Sequence, residues 1–285
     1  MALHQRTREL IEAAREILAE HRPMTVRQVF YQLVSRQATE NTQSRYNAVS
    51  KMLVTARKEN IIPWKWIEDR LRRPRQVSMW GGLPDFAETV GRLYRRDVWP
   101  SQPEYFEVWV EKDALSGIFQ DVLDDYGVAL NVGRGYDGWD SIHNAAERFR
   151  DGEGAAILYF GDFDPSGEDM VRSLRDRLAF FGCEPEIIKC ALTRADIERY
   201  SLPPALTKRS DTRRKAFVQR HGDVAVELDA MPINVLRERL VNEVKARMDM
   251  QALVETQRIE EAERQRVVAM MAACPEAGAD ESEAQ

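Results

Sequence analysis

Three carboxylates follow two apolar segments in the middle of the chain. Asp162 and Asp164 come directly after the apolar run 155–160 and precede a Pro-Ser-Gly sequence that suits the first turn of a helix. Glu111 follows the alternating segment 105–110, which predicts a strand, and precedes a segment with helical periodicity. If the two strands are parallel neighbours, their carboxyl ends meet and the three acids share one pocket. Crowded carboxylates repel one another unless a cation lies between them, and hard oxygen ligands suit Mg²⁺.

A simpler interpretation of the aspartate pair stays open. Asp162 can terminate the strand, and Asp164 can cap the helix that follows, because an Asp before the first helical turn accepts a hydrogen bond from the backbone. Neither role needs a metal. The third carboxylate, Glu111, favours the metal site over this alternative.

The order and spacing of these residues resemble the Toprim domain of topoisomerases, primases and some nucleases. A strand that ends in Glu111-Lys112 precedes a strand that ends in Gly161-Asp162-Phe163-Asp164-Pro165-Ser166-Gly167. The second motif is similar to the version in the A subunit of topoisomerase VI and in its relatives that make meiotic double-strand breaks. The resemblance implies that Glu111, Asp162 and Asp164 hold Mg²⁺, with Mn²⁺ as a substitute, and that Glu111 also acts as a general acid or base.

The amino-terminal part predicts three helices with short connections. The first covers 8–19, the second begins at a capping box formed by Thr25 and Gln28, and the third extends from about residue 42 to 58. The third helix is basic and offers four candidate DNA contacts, Arg45, Lys51, Arg57 and Lys58. Such an arrangement is typical of a helix-turn-helix module, in which 61–66 can form a short wing strand. A generic helical bundle with a solvated basic face is the alternative.

Tyr31 lies off the apolar stripe of the second helix. Helical geometry places it on the side that we expect to be exposed, one turn after Arg27. The sequence from Thr25 to Tyr31 is similar to the Arg-x-x-Tyr-Tyr stretch in the winged-helix domain of the same family, where the second aromatic attacks DNA. The resemblance implies that Tyr31 is the nucleophile. A phenol has a pKa of about 10 and needs a nearby cation or metal, and Arg27 is positioned to help; an ordinary exposed tyrosine is the alternative.

The charges are unevenly distributed along the 285 residues. The net charge is −6, yet the first 100 residues carry 18 Lys and Arg against 11 Asp and Glu. A basic front half and an acidic rear half are what a DNA-facing module joined to an acidic metal site would show. Chance and an acidic tail are the alternative explanation. Three further arginines are candidate phosphate contacts: Arg72 and Arg73 in a basic cluster, and Arg134 in a Gly-rich segment.

Cysteine usage and hydropathy exclude several classes of protein. The three cysteines form no Cys-x-x-Cys pair, which excludes a zinc ribbon built from this chain and fits reduced thiols. No apolar stretch approaches the roughly 20 residues that span a bilayer, and the first residues lack the apolar core of a signal peptide. We therefore expect a cytoplasmic protein without a membrane partner.

The predicted fold class is α/β. We expect an N-terminal winged-helix (helix-turn-helix) domain at 1–75, a connector at 76–103, a Toprim domain with a central, mostly parallel sheet and a helical extension at 104–270, and a disordered tail at 271–285. A single long helix is predicted from 233 to about 270. Residues 224–230 resemble a Glu-Leu-Asp-Ala segment of the same family, so Glu227 and Asp229 could join the acidic pocket. An edge strand with alternating acids explains them equally well.

The resemblance implies a Mg²⁺-dependent enzyme that cleaves double-stranded DNA, like the topoisomerase VI A subunit. It implies a homodimer in which the tyrosine of one subunit meets the metal site of the other. The resemblance includes no ATP-binding part, so passage of a duplex would require a separate ATPase subunit. Two alternatives stay open: a Toprim nuclease that uses metal-activated water, and a non-catalytic DNA-binding subunit of a larger complex.

Overall fold

The computed structural model describes residues 5–67, 77–133, 138–150, 154–205 and 213–273. The chain divides into two compact units, Met1–Arg72 with Glu104–Ala246, and Arg73–Pro103 with Arg247–Gln285. The amino-terminal helices and the sheet thus belong to one unit. The winged-helix and Toprim assignments of its parts stay predictions.

In chain order, the helices and strands of the described residues are α1 (Gln5–His21), α2 (Val26–Ser35), α3 (Gln43–Lys58), α4 (Leu83–Leu93), β1 (Phe106–Val110), α5 (Ser116–Leu123), β2 (Leu130–Val132), α6 (Trp139–Arg150), β3 (Ala156–Phe160), α7 (Pro165–Phe180), β4 (Glu186–Ala191), α8 (Arg194–Tyr200), α9 (Arg214–His221), α10 (Ile233–Arg247) and α11 (Met250–Ala272). The α/β class expected from the sequence is confirmed.

The three amino-terminal helices form as predicted and pack on one another. The capping box is present, since Gln28 N donates to Thr25 Oγ1 at 3.3 Å and Thr25 N donates to Gln28 Oε1 at 2.7 Å. The predicted wing strand is wrong. Residues Trp64–Trp66 form a 3₁₀ turn, with Pro63, which has no N–H to donate to a sheet, at its start.

The four strands form a parallel sheet in the order β2-β1-β3-β4. Every residue of the two central strands is buried, as in sheets that are covered on both faces. Trp109 and Tyr159 pack on one face against α6 and α7. On the other face, Phe119 of α5 lies edge-on to Phe160 with 4.9 Å between ring centroids. The expected central parallel sheet is therefore present.

Two predicted elements of the second half differ in the structure. Residues 224–230 form no edge strand: Val226 makes a single antiparallel bridge to Phe163, and Leu228–Ala230 is a 3₁₀ turn. The long helix predicted from residue 233 is divided into α10 and α11. Asp249 begins α11 by accepting hydrogen bonds from the next backbone N–H groups, a role that competes with a place inside a helix.

The second unit contains α4 and α11, which pack closely together. Gly91 allows this approach, because a Cβ atom there would lie 2.6 Å from Val268 Cγ2. After α4, the Tyr94 hydroxyl donates to Glu263 at 2.7 Å, and Arg96 pairs with the same carboxylate at 2.6 Å. The pair is thus held by apolar contact and by polar groups around Glu263.

A charged residue lies inside β1. Glu107 is completely buried, and it accepts hydrogen bonds from the Tyr105 hydroxyl at 2.8 Å and from Trp109 Nε1 at 3.1 Å. Asn131 of β2 and Arg148 of α6 also donate to it. The carboxylate therefore joins two strands and a helix on one face of the sheet, and burial without these donors would be costly.

Replacing Glu107 with alanine should lower the free energy of unfolding by about 3 kcal/mol, because it removes the acceptor that these donors share and leaves the Arg148 guanidinium without its counter-charge. Urea unfolding followed by circular dichroism measures the change. The control is Glu147→Ala, which removes an exposed ion pair to Arg150 on α6 and should cost under about 1 kcal/mol. Equal losses in both variants would contradict this account of Glu107.

Candidate active site

Glu111 and Asp162 meet at the carboxyl end of the sheet. β1 and β3 are neighbours, with Val110 opposite Phe160, and Glu111 N donates to Phe160 O at 2.9 Å. The Glu111 side chain then bends toward β3, where its Oε2 accepts a hydrogen bond from Asp162 N at 2.8 Å. Two of the three predicted metal ligands therefore lie side by side.

Two glycines of the motif permit this close arrangement. A Cβ atom at Gly161 would lie 2.7 Å from Glu111 Oε2 and 2.5 Å from Tyr159 Cε1, so a larger residue would displace the carboxylate. At Gly167 it would lie 2.5 Å from the carbonyl oxygen of Asp162. Both positions require glycine because of space rather than because of backbone conformation.

The two aspartates of the motif have different partners. Asp164 caps α7, since its Oδ1 accepts a hydrogen bond from Gly167 N at 2.6 Å, as the simpler interpretation of the pair proposed. Asp162 is buried and does more than end its strand. Its Oδ1 accepts from Leu228 N at 2.7 Å and lies 3.2 Å from Lys112 Nζ.

Lys112 lies among three carboxylates. Its ammonium is 2.7 Å from Glu227 Oε2, 3.2 Å from Asp162 Oδ1 and 3.4 Å from Asp229 Oδ2. We call Lys112 and these three acids the Lys112 cluster. Asp229 is 1% exposed, and its second oxygen, Oδ1, has no hydrogen-bond partner among the described residues. Glu227 and Asp229 thus join the acidic residues, through a lysine that the sequence analysis included in a motif but gave no role.

Burial and crowding shift the ionisation of these groups. Burial raises the pKa of Glu111 to about 8, and the charge of Asp162 adds to the shift. Burial also raises the pKa of Asp162, although Lys112 opposes that shift. Burial disfavours the charged form of Lys112, but the three carboxylates around it raise its pKa overall. The edge of the sheet therefore holds a protonated lysine, and beside it Glu111 and Asp162 are carboxylates whose ionised forms are disfavoured by burial.

Tyr31 contacts this cluster and is buried, so the predicted exposed position is wrong. The side chain is 4% exposed, because the 3₁₀ turn Leu228–Ala230 packs against α2. Arg27 Nη1 lies 3.3 Å from Glu227 Oε2, and the Tyr31 hydroxyl also interacts with Glu227. Burial raises the pKa of Tyr31 and Glu227 adds to the shift, while Arg27 and Lys112 oppose it. The expected cation is present beside the phenol, but it does not offset burial.

The predicted DNA-contacting residues fall into two groups. Four of them lie on α3, where Lys51 and Lys58 are exposed. Arg45 pairs with Glu40 at 3.6 Å, and the Arg57 guanidinium lies 4.8 Å from the ring centroid of Trp64. The others, Arg72, Arg73 and Arg134, lie outside the described residues.

Sequence reasoning also missed Lys189 of β4. Its ammonium donates to the carbonyl oxygen of Asp162 at 3.1 Å and lies 5.6 Å from the ring centroid of Phe163. A signal for it exists, because Lys189 is the single charged residue in the apolar stretch 187–192. A charged side chain within a buried strand generally has a specific partner.

Within the five described ranges, no three His, Cys, Asp or Glu side chains are arranged so that they could hold one metal ion. Among the same residues, no helix has the length and apolar character that crossing a membrane requires. A scan of the sequence against protein-family models finds no match, and a comparison with curated protein sequences finds no significant match.

Glu111→Gln should stabilise the protein at alkaline pH when EDTA is present. The folded-state pKa of Glu111 exceeds its ordinary value of 4.5, so the folded protein binds the additional proton and stability falls as pH rises from 4.5 to about 8. The variant lacks this loss, so its free energy of unfolding should exceed that of the wild type by several kcal/mol, at most about 5, above that window while matching it at pH 4.5. Urea unfolding across pH measures both. Glu147→Gln, at an exposed site on α6, is the control, and parallel pH profiles for Glu111→Gln and wild type would contradict the prediction.

Proposed function

We propose that the protein is a Mg²⁺-dependent enzyme that cleaves phosphodiester bonds in double-stranded DNA. We assign it a winged-helix module joined to a Toprim domain, as in the A subunit of topoisomerase VI. One observation carries this proposal: a continuous polar network joins Tyr31 and Arg27 on α2 to the acids at the carboxyl end of the sheet. Its links are the contacts of Glu227 with Arg27 and Lys112, and of Lys112 with Asp162.

In the proposed reaction, the Tyr31 phenol oxygen bonds to a DNA phosphorus atom and the P–O3′ bond breaks. The protein stays attached to the new 5′ end, and the 3′ oxygen takes up a proton. The phenol proton leaves to Glu227, the carboxylate that already faces it. Lys112 and Arg27 place positive charge beside Glu227, which favours its ionised form before the transfer.

The donors near the reaction centre suit a hard divalent cation in their chemistry. Glu111 and Asp162 are adjacent carboxylates whose pKa values are both raised by burial, so their ionised forms lack a full counter-charge. Glu111 and Asp162, the two that the structure brings together, would hold Mg²⁺ with water as further ligands, and Asp164 would join them only on leaving its cap on α7. When bound, this ion supplies positive charge that stabilises the phosphate oxygens in the transition state.

A second candidate function is a Toprim nuclease in which water attacks the phosphorus. The burial and the raised pKa of Tyr31 favour it, because a buried neutral phenol is a poor nucleophile. The candidate keeps the same acids and makes Tyr31 a structural residue. It predicts free 5′ phosphates and no covalent link between protein and DNA.

Incubation with supercoiled plasmid and Mg²⁺, followed by denaturation with and without protease, should separate the two candidates. We expect linear or nicked DNA that carries protein, and at least about a hundredfold less cleavage for Tyr31→Phe. Tyr46→Phe is the matched control. Tyr46 lies on the neighbouring helix α3, its ring centroid is 5.4 Å from that of Phe30, and it has no assigned role. Full cleavage by Tyr31→Phe without an adduct would replace the first candidate with the second. Cleavage by neither the wild type nor Tyr46→Phe, with DNA binding retained, would support a non-catalytic DNA-binding subunit.

Mixing two inactive variants should show which subunit supplies each part of the site. Tyr31 contacts Glu227 of its own chain, so we expect Tyr31→Phe mixed with Asp162→Asn to stay inactive. The family resemblance instead implies a homodimer in which tyrosine and acids come from different subunits. Subunits are exchanged before the plasmid assay, and mixed dimers are verified by tag pull-down. Recovery of about a quarter or more of wild-type cleavage would contradict a site built within one chain.

A further inference from the structure

A groove with an excess of positive charge opens beside the candidate active site. It has a volume of about 520 Å³ and lies between α7, α9 and β4. Pro165, the residue after Asp164, is one of the residues that line it. Lys189 lines it as well, while its ammonium donates to the Asp162 carbonyl. We call it the α7–α9 groove.

The groove is cationic in an acidic protein. Two carboxylates, Glu168 and Asp169, face five cationic side chains, which are Arg172, Arg175, Lys189, Arg213 and Arg220. The excess among these lining residues is three positive charges, or two when Asp176, which pairs with Arg172 at 2.8 Å, is included, whereas the whole chain has a net charge of −6. The groove therefore has the opposite sign to the surface average, which favours an anionic ligand.

The two carboxylates hold guanidinium groups in position rather than neutralise the groove. Asp169 is 3.0 Å from Arg213 and 2.7 Å from Arg172, while Glu168 is 3.1 Å from Arg220. Arg213 also donates to the Ser166 hydroxyl at 3.1 Å. Arginines held in this way lose less side-chain freedom when an anion binds, and a planar guanidinium matches the oxygens of a phosphate.

The floor of the groove is formed by packed aromatic rings. Phe217 of α9 is buried, and its ring lies 5.4 Å from that of Phe163, the residue between the two aspartates. The ammonium of Lys189 lies over the same Phe163 ring. One packed unit therefore connects the groove to the motif that ends β3.

We propose that the α7–α9 groove binds the phosphates of the DNA strand that flank the bond being cut. The position of the strand in this inference rests on the proposed function. The contact itself rests on the charge and location of the groove. A strand with one phosphate at Asp162 must carry its neighbouring phosphates across an adjoining surface. Pro165 and Lys189 place this cationic surface directly next to that point. The groove includes none of the DNA contacts expected from the sequence.

The test compares two double variants with equal change in charge. Arg172→Gln with Arg175→Gln removes two exposed cations of the groove, and Arg258→Gln with Arg266→Gln removes two exposed cations of α11. Binding of a labelled DNA duplex is measured in EDTA over a range of salt concentrations. We expect the groove variant to bind about tenfold more weakly, with a salt slope lower by about two, and the α11 variant to match the wild type. Wild-type affinity and slope in the groove variant would overturn the proposal.

A second measurement locates the contact on the strand. Single phosphates of the duplex are replaced by neutral methylphosphonates, one position at a time. A methylphosphonate that weakens DNA binding by the wild type because it removes a phosphate contact in the groove should not weaken DNA binding by the groove variant further. The variant has already lost that contact. If each methylphosphonate weakens binding of the groove variant as much as it weakens binding of the wild type, the assignment is overturned. It is also overturned if the wild type binds inorganic phosphate strongly while the groove variant binds DNA as well as the wild type does. If the wild type cleaves no plasmid but the groove variant binds DNA more weakly than the wild type, the groove proposal stands and the proposed function is contradicted.

Discussion

The site depends on the ion pairs that the ammonium of Lys112 makes with three carboxylates. The ammonium lies between Asp162, at the end of β3, and two acids that are more than sixty positions later in the chain. A buried ammonium and buried carboxylates each cost several kcal/mol unless they are paired, so each side of the contact requires the other. The pairing therefore holds the segment around Leu228 against the sheet. The hydrogen bond from Leu228 N to Asp162 Oδ1 makes the same connection through the backbone.

The same segment determines where α2 lies. Glu227 pairs with Lys112 on one side and with Arg27 on the other, so one carboxylate connects the sheet to the amino-terminal helices. The turn that follows it covers the polar side of α2 and buries Tyr31. The environment of the phenol is thus a consequence of the charge pairing at Lys112 and does not follow from α2 alone. A substitution of Lys112 would therefore alter the surroundings of the Tyr31 hydroxyl, because both residues contact Glu227.

The features that were predicted correctly depend on residues close together in the sequence. The capping box at Thr25 and the strands before Glu111 and Asp162 follow from short patterns of apolar and polar residues. The wrong predictions have long-range or competing causes. The stripe of α2 shows which side packs on its nearest helices, but it does not show that a polar network will cover the other side, and so Tyr31 was expected to be exposed. The role of residues 224–230 depends on a contact with Lys112, more than a hundred positions earlier. The helix break at Asp249 came from a capping side chain inside an otherwise continuous pattern.

The two proposed sites are adjacent and opposite in charge, and this has a consequence for the order of events. Around the end of β3, five carboxylates outnumber three cations, Lys112, Arg27 and Lys189, so this edge repels a phosphate when Glu111, Asp162, Asp164, Glu227 and Asp229 are ionised. The α7–α9 groove, which Pro165 lines, attracts one. Under the two proposals, a strand would bind along the groove without a metal. The bond to be cut would approach the acids only after a divalent cation had reduced their charge. DNA binding and divalent-ion dependence would then belong to neighbouring but separate surfaces.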